Sequence, residues 1–129
     1  MDNQTKKKIL VVEDDKFLSS AYKAKLTKAG FEVVMALDGE EATTALTTFT
    51  PDIILLDLIM PKKDGFAVLQ EIKASDKWKN IPVIVASNLG QKEDIDRGMA
   101  LGAKDFIIKS DLSLDDLIKK INSLIQSSY

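Results

Sequence analysis

The stretch Ile9-Leu10-Val11-Val12-Glu13-Asp14-Asp15 joins an uninterrupted apolar run to a string of carboxylates. A second run, Ile53-Ile54-Leu55-Leu56, ends in the same way at Asp57. Apolar runs of this length without polar alternation read as strands buried on both faces, as in a parallel sheet covered by helices. In an open α/β sheet, ligands bind beyond the carboxyl ends of the strands, near the point where strand order reverses. Glu13, Asp14, Asp15 and Asp57 then share one crevice. So much negative charge in a small space is unfavourable unless a cation sits there or a carboxyl keeps its proton. All-oxygen ligands suit a hard cation, Mg²⁺ first. The pattern therefore predicts a metal held beside a carboxylate able to act as a nucleophile.

The rest of the chain repeats the strand-then-helix theme. Strand one is read at about residues 8–13, followed by a helix to Ala29 with Leu18, Tyr22 and Leu26 on one stripe and Gly30 placed to end it. Strand two covers 32–36, and helix two about 39–49 with Ala42, Ala45, Leu46 and Phe49 inward. Strand three covers 52–57, and helix three starts near Asp64-Gly65 and carries Phe66, Leu69 and Ile72. Strand four covers 83–86, helix four about 91–101, and strand five about 105–108. Helix five begins at Ser113, an N-cap with Asp116 three residues on, and its stripe runs from Leu114 through Ile121 to Ile125. This alternation argues a parallel sheet with helices on both faces and right-handed crossovers. Helix four has the thinnest apolar face, with only Ile95, Met99 and Leu101 to anchor it, and Gly98 weakens it by about 1 kcal/mol relative to alanine.

The 129 residues suit one domain with a proper core, and the formal net charge of −2 with no basic run beyond Lys6-Lys7-Lys8 gives no footprint for nucleic acid. The absence of cysteine excludes disulfides and thiol chemistry. The absence of histidine removes the commonest general base, and the chain cannot donate a phosphoryl group from a phosphohistidine. No run approaches the ~20 apolar residues of a membrane span, and no signal-peptide core opens the chain, so a cytoplasmic location is expected.

Two further strand ends reach the same edge. Strand four ends in Ala86-Ser87-Asn88, and strand five in Ile108-Lys109-Ser110. A hydroxyl donor and a long-stemmed cation, with a metal, are the groups that stabilise phosphoryl oxygens during in-line transfer. Asp57 would be the nucleophile, as carboxylates are in aspartyl-phosphate chemistry.

These residues carry a family resemblance. Asp57-Leu58-Ile59-Met60-Pro61-Lys62-Lys63-Asp64-Gly65 resembles the phosphoacceptor motif Asp-Leu-x-Met-Pro-x-x-Asp-Gly of response-regulator receiver domains. The acidic stretch at 13–15 resembles that family's first-strand motif, and Gly102-Ala103-Lys104-Asp105-Phe106-Ile107-Ile108-Lys109 its fifth-strand motif. The resemblance spans nearly the whole chain. It implies a doubly wound, flavodoxin-like sheet of order 2-1-3-4-5, a single receiver domain over residues 1–129 with its core at about 8–126, and no output domain attached. It further implies that Asp57 accepts the phosphoryl group and that Mg²⁺ is held by Glu13, Asp14, Asp57 and the backbone carbonyl of Ile59. Ser87 and Lys109 would contact the phosphoryl oxygens, and Ser87 and Phe106 would form the switch. The partners implied are a sensor histidine kinase or a histidine phosphotransfer protein and a downstream protein target, with no direct nucleic acid and no membrane. The protein would be a signalling protein rather than an enzyme.

The chain departs from the family pattern at four positions. Glu13 replaces the commoner Asp and adds a methylene. Asn88 stands where a very small residue is usual, narrowing access. Phe106 lacks the hydroxyl of the commoner Tyr, so the switch must rest on packing. Ser110 replaces a proline whose bond is typically cis, a form that costs roughly 3 kcal/mol without proline. The rival readings are a pseudo-receiver that is never phosphorylated and a flavodoxin-like electron carrier. The first usually has lost an acidic residue, and none is lost. The second would want a Ser/Thr/Gly-rich loop after strand one, where this chain is acidic.

Overall fold

The computed structural model describes residues 6–60 and 63–127, so Pro61 and Lys62 of the Asp57–Gly65 motif, and the side chain of Ile125, lie outside the described residues. The strands are β1 (Lys8–Val12), β2 (Glu32–Ala36), β3 (Ile53–Leu56), β4 (Val83–Ser87) and β5 (Asp105–Ile108). The helices between and after them are α1 (Lys16–Lys28), α2 (Gly39–Leu46), α3 (Gly65–Ala74), α4 (Lys92–Ala100) and α5 (Leu114–Ser127), with a 3₁₀ turn over Lys109–Asp111. The sheet is parallel throughout, in the order β2-β1-β3-β4-β5. The expected fold class is thus the observed one.

Parallel pairing explains the unbroken apolar runs. Ile9–Val12 and Ile53–Leu56 lie in the middle of the sheet and are almost wholly buried. Alternate residues serve opposite layers. Leu10, Val12, Ile54 and Leu56 pack with Leu46, Phe66, Leu69 and Ile72 from α2 and α3. Ile9, Val11, Ile53 and Leu55 pack with Tyr22, Leu26, Leu117 and Ile121 from α1 and α5. Each of these large side chains contributes roughly 1.5–3 kcal/mol on burial.

Helix starts follow their caps. Asp15 accepts a bond from the Leu18 amide at 3.0 Å, and Asp64 from the Ala67 amide at 2.9 Å. Ser113 accepts from the Asp116 amide at 3.1 Å, as its position suggested. Asp38 caps α2 by accepting from the Glu41 amide, and the Glu41 carboxylate reaches back to accept from the Leu37 amide, both at 2.8 Å.

Two expectations are corrected. Helix two stops at Leu46 rather than Phe49, because the chain tightens there through bonds from the Thr47 amide to Thr44 O and the Thr48 amide to Ala45 O, each 3.1 Å. Phe49 still packs on the core, from beyond the helix. Met99 does not anchor α4, for it is 44% exposed and Gly98 is the helix's buried residue.

Candidate functional site

The carboxyl edge of the sheet gathers the chemistry. Val12 and Leu56 end neighbouring strands in register, so Glu13 and Asp57 follow side by side. The Glu13 amide is tied to Ala36 O and the Asp57 amide to Val12 O, both at 3.0 Å, which extends strand geometry to the carboxylates themselves. One carboxylate oxygen from each of Glu13, Asp14 and Asp57 lies within 4.8 Å of the others. Glu13 and Asp57 are buried, and Asp14 is exposed.

Lys109, one residue past β5, reaches into this group. Its Nζ lies 2.5 Å from Glu13 Oε1 and 3.3 Å from Asp57 Oδ2. The other oxygen of Glu13 accepts from the Asp15 amide at 3.2 Å. Asp57 also accepts from the Leu58 amide at 2.8 Å. Burial raises the proton affinity of Glu13. The bond from Lys109 opposes that rise, and the charge of Asp57 adds to it.

The close approach of α3 keeps Asp57 in place. A Cβ on Gly65 would stand 2.2 Å from Asp57 O and 2.6 Å from Leu58 Cα, so only glycine lets the helix begin there. The Gly65 amide donates to Leu58 O at 2.9 Å across the same contact.

Ser87, at the end of β4, is fully buried, and its Oγ accepts from the Leu89 amide at 3.2 Å. That bond uses a lone pair and leaves the hydroxyl proton available to donate. Asn88 beside it is exposed. Ile59, two residues past Asp57, has a 58% exposed side chain. Phe106 is half-buried, opposite Val85 in the β4–β5 register. All peptide bonds among the described residues are trans, including Lys109–Ser110.

One neighbour of the site belongs by its spacing to the core stripe of α1. Tyr22 of α1 is buried, and burial first, then the charges of Glu13 and Asp57, push its phenol well above the usual tyrosine range. The phenol therefore stays protonated beneath the carboxylates. Its helical stripe predicted burial, but nothing in the linear sequence pointed to these charges.

Among the described residues no helix is long and apolar enough to cross a membrane.

Comparison with known proteins agrees with this geometry. The family model described as response regulator receiver domain matches residues 9–122. A probable transcriptional regulator, ycf27 of Cyanophora paradoxa, is 40% identical over 121 residues, covering 94% of this chain and 49% of the relative. The DNA-binding dual master transcriptional regulator RpaA of a Synechocystis strain is 32% identical over 119 residues, covering 92% of this chain and 49% of the relative. A crystal structure of the phosphorylated cyanobacterial phytochrome response regulator RcpA superposes with a TM-score of 0.85 at 34% identity, covering 97% of each chain.

The chain spans about half the length of the curated relatives it matches. Their names correct one expectation, the exclusion of nucleic acid from the partners. That exclusion rests on the charge of these residues and on the family resemblance, and it fails because one relative is named a probable transcriptional regulator and another a DNA-binding transcriptional regulator. With the family model, the fold and the relatives in agreement, the chain belongs to the response regulator receiver domains of two-component signalling.

Proposed function

We propose that Asp57 accepts a phosphoryl group, with Mg²⁺ bound at the acidic cluster, and that the modification changes a protein-docking surface. The observation that carries this reading is the single lysine bridging two buried carboxylates, Glu13 and Asp57, with Asp14 close by. Three clustered carboxylate oxygens form a hard, anionic donor set that fits Mg²⁺. Glu13, Asp14, Asp57 and the Ile59 carbonyl would hold the ion, which when bound neutralises charge on the phosphoryl oxygens.

The donor would be a phosphohistidine, and since this chain has no histidine it would be carried by a sensor kinase or phosphotransfer protein. A carboxylate oxygen of Asp57 forms the new P–O bond as the donor's P–N bond breaks, and the imidazole leaves with the electron pair. Lys109 is already at the attacking carboxylate and would follow the charge onto the phosphoryl group. Ser87 would donate its hydroxyl proton to a phosphoryl oxygen. Its movement would open space at the end of β4 into which the Phe106 ring can turn, and a phenyl ring needs no partner for a hydroxyl there. The surface formed by α4, β5 and α5 would carry the output.

Incubation with acetyl phosphate and Mg²⁺ should add one phosphate by intact mass. A label that persists in Asp57→Asn, or that forms equally well in chelator, would defeat this assignment.

A further inference from the structure

We propose that Gly98 is the positioning residue of the Phe106 ring: the missing side chain at 98 lets α4 and the ring occupy their places together. This rests on the reading of Phe106 as the moving aromatic of the receiver.

A Cβ at position 98 would stand 3.0 Å from Phe106 Cδ2 and 3.2 Å from Cε2. Such contacts are tighter than ordinary packing, so either the helix or the ring must yield. The C-terminal end of the helix is held next to the contact. The Arg97 guanidinium lies 4.0 Å over the centre of the Phe66 ring on α3, a cation–π contact. Gly98 O accepts from the Ala103 amide at 3.1 Å, and Met99 O from the Gly102 amide at 3.0 Å, which ties the end of α4 to the turn before β5. The backbone of Phe106 is fixed as well, by pairing with Val85 across β4–β5. The free coordinate is the ring's own torsion. Gly98 is also the buried residue of α4, so the helix rests on the sheet at the point where the ring lies. Ring and helix are therefore coupled, and a methyl group at 98 displaces the ring from its resting place while leaving the carboxylates untouched.

The sign of a stability change separates this from a propensity effect. Alanine is the better helix former, so without the contact Gly98→Ala should simply stabilise the protein. We expect it instead to shift the Phe106 ring resonances in a ¹³C-phenylalanine spectrum of the unloaded full chain, assigned by their loss in Phe106→Leu, and to leave the melting temperature unchanged or lower. In the Phe106→Leu background, where the flat ring edge is gone, the same Gly98→Ala change should raise the melting temperature. Unmoved ring resonances, or an equal rise in both backgrounds, would overturn the proposal.

Loading with beryllofluoride and Mg²⁺ then tests the link to the switch. Displacing the ring in the unloaded protein only should let Gly98→Ala load at a concentration at least about fivefold lower than wild type. A protein whose ring has moved but which loads no more readily overturns that link. A wild-type ring that ignores beryllofluoride overturns the receiver-switch reading instead, and the seat at Gly98 is still decided in the unloaded protein.

Discussion

At the scale of single residues, the balance of charge around Lys109 decides how the site behaves without metal. One ammonium faces the carboxylates of Glu13 and Asp57, with that of Asp14 beside them. Removing one negative charge should relieve repulsion. Asp57→Asn and Asp14→Asn should therefore melt higher than wild type in chelator, and the gain should shrink in millimolar Mg²⁺, which binds only the folded site. Lower melting temperatures for both variants in chelator would contradict the electrostatic account. The pH dependence has a defined sign. The folded protein lifts Glu13 above its usual value of 4.5, so the folded state takes up that proton before the unfolded chain does. The contribution of Glu13 to stability then grows as pH falls through the raised value and is complete below 4.5. Melting wild type and Glu13→Gln in chelator as the pH is lowered from neutral towards 4.5 should show wild type gaining on the variant.

Adjacent acids at the start of α1 should behave in opposite ways. Asp15 caps the helix through the Leu18 amide, and Asp14 belongs to the carboxylate cluster. Asp15→Ala should cost about 1 kcal/mol in denaturant titration and leave Mg²⁺ affinity nearly intact. Asp14→Ala should weaken Mg²⁺ binding strongly by calorimetry, with no loss of stability in chelator. Equal losses of affinity in both would place the acidic stretch in the wrong register. Among elements, α4 stands apart. Its N-cap, Gln91, makes no side-chain cap bond, and Gly98 is its one buried residue, whereas α3 buries Phe66, Val68, Leu69 and Ile72. Amide exchange in α4 should be the fastest of α1 to α4 in the unloaded protein, and beryllofluoride should alter exchange most within residues 87–110. Changes concentrated in α1 and α2 would remove the α4–β5–α5 surface from consideration. Strands β1, β3 and β4 were legible because four or more consecutive buried residues leave an unmistakable apolar run. Glu13 and Asp57 were legible because each stands at the end of such a run, and Lys109 because it follows the apolar Phe106-Ile107-Ile108. The seat of α4 was not. A helix of nine residues held by a glycine has no apolar stripe to read, and Met99 fell on the expected face by spacing alone. The charges near Tyr22 and the ring beneath Arg97 come from partners distant in sequence, so no local pattern marks those contacts.

On the scale of the whole molecule, a parallel sheet sends every strand toward one edge. Glu13, Asp57, Ser87 and Lys109 all lie just past or at strand ends on that edge. The returns from helix to strand, such as 75–82 between α3 and β4, run along the opposite edge and bear none of these groups. The proposed chemistry is therefore gathered at one end of the molecule. Lys77 is exposed in that return, and the chain lacks cysteine, so Lys77→Cys creates a unique attachment point far from the carboxylates. A bulky maleimide dye there should leave acetyl phosphate labelling at the wild-type rate, and a severalfold slowing would show that the two ends communicate. With the dye or a surface anchor on the opposite end, the receiver can be immobilised in a single orientation, its chemistry facing outward, so that individual phosphorylation and docking events can be counted on a tethered molecule.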